Sequence, residues 1–256
     1  MNREEYYTHP LKPLFGKERE YTFNPLKSTL YISLFLVIPL VVATIFMSWV
    51  IYHSEVVSGN GGNLVPVEDL MASTSYWISN LLAQVITLGV YFYLIKKHQL
   101  PIFNREKWTK EKVRFLLWFT PVIILGPSLL MNLSNYLSGK TGTTANQVAV
   151  VDMVDGIPLW ISFLLIVVIA PLLEEIAFRG FILFSTKGSE VTWLRAIISG
   201  VIFSILHGPT DIVSFLIYFL MGFGMAYAVK RTNLLESSII IHLFNNAIGF
   251  LSIVLM

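Results

Sequence analysis

Apolar residues along this chain gather into long blocks parted by short charged stretches. A membrane helix needs about 20 consecutive apolar residues. Seven blocks approach or exceed that length, roughly 29–52, 75–95, 114–137, 158–184, 193–207, 212–229 and 235–256. The third carries Pro121 and Gly126-Pro127, where a kink is expected because proline removes a backbone donor. The fourth is long enough for one span or two, so the pattern predicts seven or eight membrane helices. The fifth is short and stops at His207-Gly208-Pro209. That break is either a tight outer turn or irregular backbone within the membrane, which is tolerated only where protein or water covers it.

Composition agrees. Of 256 residues, 55% are hydrophobic and 13% charged, and the mean hydropathy is +0.67. A soluble domain carries about 25% charged residues, so the expected class is an all-α, polytopic transmembrane bundle. The net charge of +2 points to no nucleic-acid partner. With no cysteine, disulfides, thiolate metal sites and a cysteine nucleophile are excluded. The first apolar block follows a polar stretch of about 28 residues and is expected to be a retained anchor, not a cleaved signal peptide. The terminal Leu255-Met256 forms no prenylation box.

Basic residues alternate between loops. Residues 1–28 hold Arg3, Lys12, Lys17, Arg19 and Lys27, while 53–74 hold none but carry Glu55, Glu68 and Asp69. Residues 96–113 hold six Lys or Arg, and 138–157 only Lys140. Lys187, Arg195, Lys230 and Arg231 flank the later spans. Lysine and arginine accumulate on the cytoplasmic side, so the N-terminus is expected in the cytoplasm.

Strongly polar residues inside the spans concentrate in the C-terminal half: Glu174, Glu175, Arg179, His207, His242, Asn245 and Asn246. The N-terminal half has only Asn80, Gln84, Asn132 and Asn135, none ionisable. A charge at the bilayer centre costs roughly 2.5–3.5 kcal/mol on insertion scales, so such residues mark a site or an internal ion pair. Glu175 and Arg179 are four apart and share a helix face. Glu174 is rotated about 100° from Glu175, which leaves one carboxylate free for acid–base work. His242 and Asn246 share a face, with Asn245 turned away. Phe203 stands one turn before His207, where its ring can wall the imidazole. At about 1.5 Å per residue, Glu174, His207, His242 and Asn246 fall in one slab of the membrane. The stripes Ala196-Gly200-Ser204 and Gly222-Ala226 read as close-packing faces.

Three motifs appear in order: Glu174-Glu175-Ile176-Ala177-Phe178-Arg179 as EExxxR, Phe203 to His207 as FxxxH, and His242 to Asn246 as HxxxN. Together they resemble the CAAX-protease and bacteriocin-processing (CPBP/Abi) family of intramembrane endopeptidases, which includes type II CAAX prenyl endopeptidases. The resemblance covers about residues 115–250. It implies one membrane unit in which 1–113 form a cytoplasmic tail and the first two membrane helices, and 114–256 the protease core. It implies that Glu174 activates a water with help from His207. His242 and Asn246 would stabilise the oxyanion, and Glu175, Arg179 and Phe203 would support the site.

The family is commonly labelled metalloprotease. Glu174, His207 and His242 could supply three ligands to a catalytic zinc with an open fourth position, or act as a metal-free base with an oxyanion hole. The sequence holds no HExxH, no rhomboid-like serine setting and no GxGD. The expected activity is hydrolysis of a peptide bond in or beside the bilayer, on a peptide or membrane-protein substrate. The expected place is the bacterial plasma membrane, in bacteriocin processing or self-immunity. Two rivals stay open: a non-catalytic immunity or scaffold protein of the same fold, and a proton-coupled transporter.

Overall fold

The computed structural model describes residues 25–56, 74–98, 108–139, 141–184 and 191–255. Those residues form an all-α bundle without strands. Its helices are α1 (Pro25–Val56), α2 (Thr74–His98), α3 (Lys110–Ser138), α4 (Ala145–Gly156), α5 (Leu159–Phe181), α6 (Trp193–Leu206), α7 (Ile212–Thr232) and α8 (Leu235–Val254). Six are long and apolar enough to cross a membrane, and α6 is a shorter apolar helix. The basic stretch before residue 25, the loop with Glu68 and Asp69, Arg105, Lys107, Lys140 and Lys187 lie outside the described residues.

All seven apolar blocks became helices near their expected bounds. The eighth helix did not come from splitting the fourth block, which remains one span. It is α4, from the segment read as a loop. Thr144 starts it by accepting a hydrogen bond from the Gln147 amide at 3.2 Å, which satisfies an amide with no partner inside the helix. Pro121 and Pro127 both lie inside α3.

The outer surface carries exposed Leu36, Leu40 and Ile45 on α1, Leu117, Leu125 and Leu129 on α3, and Phe244 and Leu251 on α8. Water-soluble surfaces rarely expose so much contiguous apolar area. Lipid is the solvent that suits it, and the protein is an integral membrane protein.

Helix α5 is the axis of the bundle. Every residue from Glu175 to Phe181 is buried. Tyr31 of α1 and Tyr91 of α2 pack on Phe181 with ring centroids 5.6 Å and 5.1 Å away. Phe35 meets Phe178 at 6.0 Å, and Phe203 of α6 meets Phe178 from another side at 5.8 Å. Within α5 the backbone alternates: α-helix to Phe163, π-helix over Leu164–Ile169, α-helix over Ala170–Glu174, then π-helix over Glu175–Phe181. Pro171 accounts for the first widening. In a regular α-helix its ring would strike the carbonyl four residues back, and a π-turn makes room. Glu174 and Glu175 straddle the second transition, a common setting for functional residues.

Helices α6 and α7 approach closely through glycine. A methyl group on Gly222 would stand 3.0 Å from Phe203 Cβ and 3.1 Å from Gly200 Cα. Asp211 caps α7: its carboxylate accepts from the Ser214 amide at 2.8 Å, and the Ser214 hydroxyl reaches back to the cap. Gly208, with φ of +61°, provides the left-handed residue between them. Three elements therefore converge: the middle of α5, the end of α6 and the first half of α8.

Candidate functional site

Glu175 and Arg179 form the floor. Both side chains are fully buried. Arg179 Nη1 donates to Glu175 Oε1 at 2.9 Å, and Nη2 donates to the Gly222 carbonyl at 2.9 Å. The guanidinium carbon sits 4.5 Å from the Phe203 ring centroid, within cation–π range. The close approach at Gly200 and Gly222 brings that carbonyl into reach. The ion pair read from the i, i+4 spacing is therefore present.

The same oxygen, Glu175 Oε1, also takes a hydrogen bond from His242 Nδ1 at 2.8 Å. Sequence spacing assigned Glu175 to Arg179 alone, and this second partner lies 67 residues away. A carboxylate beside an arginine accepts, so Nδ1 carries the proton and Nε2 is left to face the site. His242 Nε2 stands 3.9 Å from Glu174 Oε2.

His207 is fixed in a parallel way. It follows the last residue of α6, and its Nδ1 lies 2.7 Å from the Phe203 carbonyl. A carbonyl can only accept, so Nδ1 is again the protonated nitrogen. His207 Nε2 also stands 3.9 Å from Glu174 Oε2. The imidazole is held between two aromatic rings: Phe203, with centroids 4.1 Å apart and 32° between planes, and Tyr218, 4.7 Å and 26°. Phe203 walls His207 as its spacing indicated. Tyr218 went unnoticed, one aromatic residue in an apolar run.

Glu174 is thus the carboxylate that the ion pair leaves free. Its Oε2 makes no hydrogen bond within the protein and faces two imidazole Nε2 atoms at equal distance. The Glu174 and His207 side chains each retain 15% exposure. Three acceptor atoms converge here with no donor among them. A water can donate one hydrogen bond to each of two of them, and the spacing suits a bridged contact better than a direct one.

Asn246 lies one turn beyond His242, and its Nδ2 donates to the Ile166 carbonyl at 2.8 Å. Ile166 belongs to the first π-helical stretch of α5. One N–H of the Asn246 amide remains for another partner. Asn245 is not wholly turned away, since its Nδ2 donates to Asn246 Oδ1 at 3.1 Å.

Neighbouring ligands of a tetrahedral zinc, at bonds of about 2.0–2.1 Å, stand about 3.3 Å apart. Both nitrogen–oxygen distances here are 3.9 Å. Among the described residues, no group of three or more His, Asp or Glu is placed to hold a metal ion. As arranged, Glu174, His207 and His242 do not fit a tetrahedral zinc.

Comparison with known proteins bears on the same region. The model of the family described as type II CAAX prenyl endopeptidase Rce1-like matches residues 156–248, which contain α5 to α8 nearly whole. The "Putative membrane peptidase YdiL" of Bacillus subtilis (strain 168) is 29% identical over 125 residues, 49% of this chain and 50% of that protein. The "UPF0177 protein YbdI" of Lactococcus lactis subsp. lactis (strain IL1403) is 32% identical over 142 residues, 52% of this chain and 75% of that protein. The chain thus spans about half the length of the first relative and three quarters of the second. No solved structure matches.

Proposed function

The chain belongs to the Rce1-like family of type II CAAX prenyl endopeptidases, and from that premise we propose that it is an intramembrane endopeptidase using Glu174 as general base. One observation carries the reading: the free Glu174 Oε2 faces both His207 Nε2 and His242 Nε2 at 3.9 Å.

In this reading a water lies among the three groups. Glu174 takes its proton as the oxygen attacks the scissile carbonyl carbon, and His207 Nε2 accepts the water's second hydrogen bond. The carbonyl oxygen becomes an oxyanion. His242, held on Nδ1 by the Glu175 carboxylate, and the remaining Asn246 N–H line the oxyanion position. The C–N bond then breaks, and the proton held by Glu174 passes to the leaving nitrogen. The two histidines divide the work because their Nδ1 partners differ: a neutral carbonyl on His207, an anionic carboxylate on His242. Residues 114–256 form the protease core in this reading. The substrate is a peptide or membrane protein, and a bacterial plasma membrane with bacteriocin processing or self-immunity is the setting the resemblance favours.

The test is proteolysis of a membrane-peptide library by the detergent-purified chain, with Glu174→Gln beside wild type and with or without chelator. Cleavage by wild type, unaffected by chelator and lost in a folded Glu174→Gln, is the expected result. A variant with wild-type turnover would remove Glu174 as the base. Loss with chelator, restored by zinc, would make the three groups metal ligands after rearrangement. Glu174→Gln that still protects a cell would favour the binding-only immunity protein.

A further inference from the structure

His207 is weakly held by its own backbone. It lies past the end of α6, directly before a glycine in the left-handed region. Phe203 provides one wall and one carbonyl. The opposite wall is Tyr218 of α7, which is 7% exposed. The Tyr218 hydroxyl is itself bonded, at 2.5 Å, to Thr144 Oγ1, which is 6% exposed and caps α4. A continuous chain of contacts therefore runs from the start of α4 through the tyrosine to the imidazole beside Glu174.

We propose that Tyr218 is a positioning residue: its ring, anchored through its hydroxyl to Thr144, holds His207 Nε2 on Glu174 and ties the site to the start of α4. Two features favour this over filler. A Leu at 218 would fill comparable space, but only a flat ring lies 26° from an imidazole at 4.7 Å. A Phe would provide the ring, but only Tyr carries the hydroxyl that spans 74 residues to a helix cap. A neutral imidazole rotated about its stem would lose either the Phe203 carbonyl or Glu174. The stack forbids that rotation without adding a charge.

The inference rests on the proposed role of His207 in catalysis but is tested apart from it. Ring-nitrogen NMR of histidine-labelled full chain in detergent micelles reports tautomer and ring environment for each imidazole and needs no substrate. Tyr218→Leu is expected to shift the His207 signals and mix its tautomers, with the His242 signals unmoved. Tyr218→Phe and Thr144→Val are expected to produce a smaller shift of the same signals, and Thr144→Ser to restore them. On any library peptide that wild type cleaves, Tyr218→Leu should lower kcat at least about tenfold with little change in KM, since small misplacements of catalytic groups cost up to about a hundredfold. Unmoved His207 signals in folded Tyr218→Leu would overturn the proposal. Should Tyr218→Leu fail to fold, unmoved signals in Tyr218→Phe and Thr144→Val would do so. Absent cleavage by wild type, with the NMR shifts present, would fault the peptidase reading and leave the clamp standing.

Discussion

Glu175 serves two partners with one oxygen, which makes its neighbourhood separable by mutation. Arg179→Ala leaves a fully buried carboxylate without its cationic partner. Breaking one side of a buried pair costs about 3–5 kcal/mol, so this variant should accumulate poorly in membranes and melt early in detergent. Replacing both partners with neutral groups of similar size is often close to neutral for stability. Glu175→Gln with Arg179→Met should therefore recover accumulation. It should not recover cleavage, because His242 Nδ1 then faces an amide, which presents N–H as readily as oxygen and no longer fixes the tautomer that turns Nε2 to the site. Quantitative blotting of membrane fractions and cleavage assays on the same preparations check both halves. Cleavage by the double variant would show that Glu175 acts through Arg179 alone.

At the scale of elements, the α6–α7 contact sets where Arg179 and Phe203 sit. Gly222→Ala inserts a methyl against Phe203 and the Gly200 backbone, and overpacking of this kind costs about 1–3 kcal/mol. It should also weaken the bond from Arg179 to the Gly222 carbonyl, so activity should fall further than stability accounts for. Gly249→Ala on α8 meets nothing within 4 Å and should leave the melting temperature unchanged or slightly raised, since alanine is the better helix former. Thermal unfolding of the two variants side by side decides it; equal melting would mean the helices slide apart freely. The small-residue stripe that creates this contact was readable from its four-residue spacing, as were the seven apolar blocks and the pairing of Glu175 with Arg179. Helix α4 was not, because twelve residues with Asp152 and Asp155 resemble a loop beside true spans. The π-turns were invisible because a single inserted residue disturbs no visible period. The Glu175–His242 and Thr144–Tyr218 bonds join residues 67 and 74 apart, and local spacing holds no information on such pairs.

For the whole molecule, orientation in the membrane decides which side presents the substrate. Alternating helices place Lys27, Lys96, Lys97, Lys110, Lys112, Arg195, Lys230 and Arg231 at one end of the bundle. Side-chain contacts agree: Arg195 Nη1 bonds the Leu183 carbonyl, and Lys230 Nζ bonds the Val191 carbonyl, both at that end. Asp152 and Asp155 of α4 lie toward the other. By the charge rule we propose that the basic end is cytoplasmic. The chain has no cysteine, so any introduced thiol is the sole target of a reagent. A membrane-impermeant maleimide should label Ser138→Cys and Leu255→Cys on intact cells. It should label Lys110→Cys and Arg231→Cys only after permeabilisation. The opposite pattern would invert the protein. Position along α5 gives the result its consequence: Glu174 lies ~10 Å from Phe181 and ~22 Å from Leu159 by helical rise. With the basic end inside, the scissile bond sits nearer the cytoplasmic face, and a substrate must lower its cleavage site only a short way into the bilayer from that side. With the protein inverted, the same distance is measured from the outer face, and the substrate must come from there.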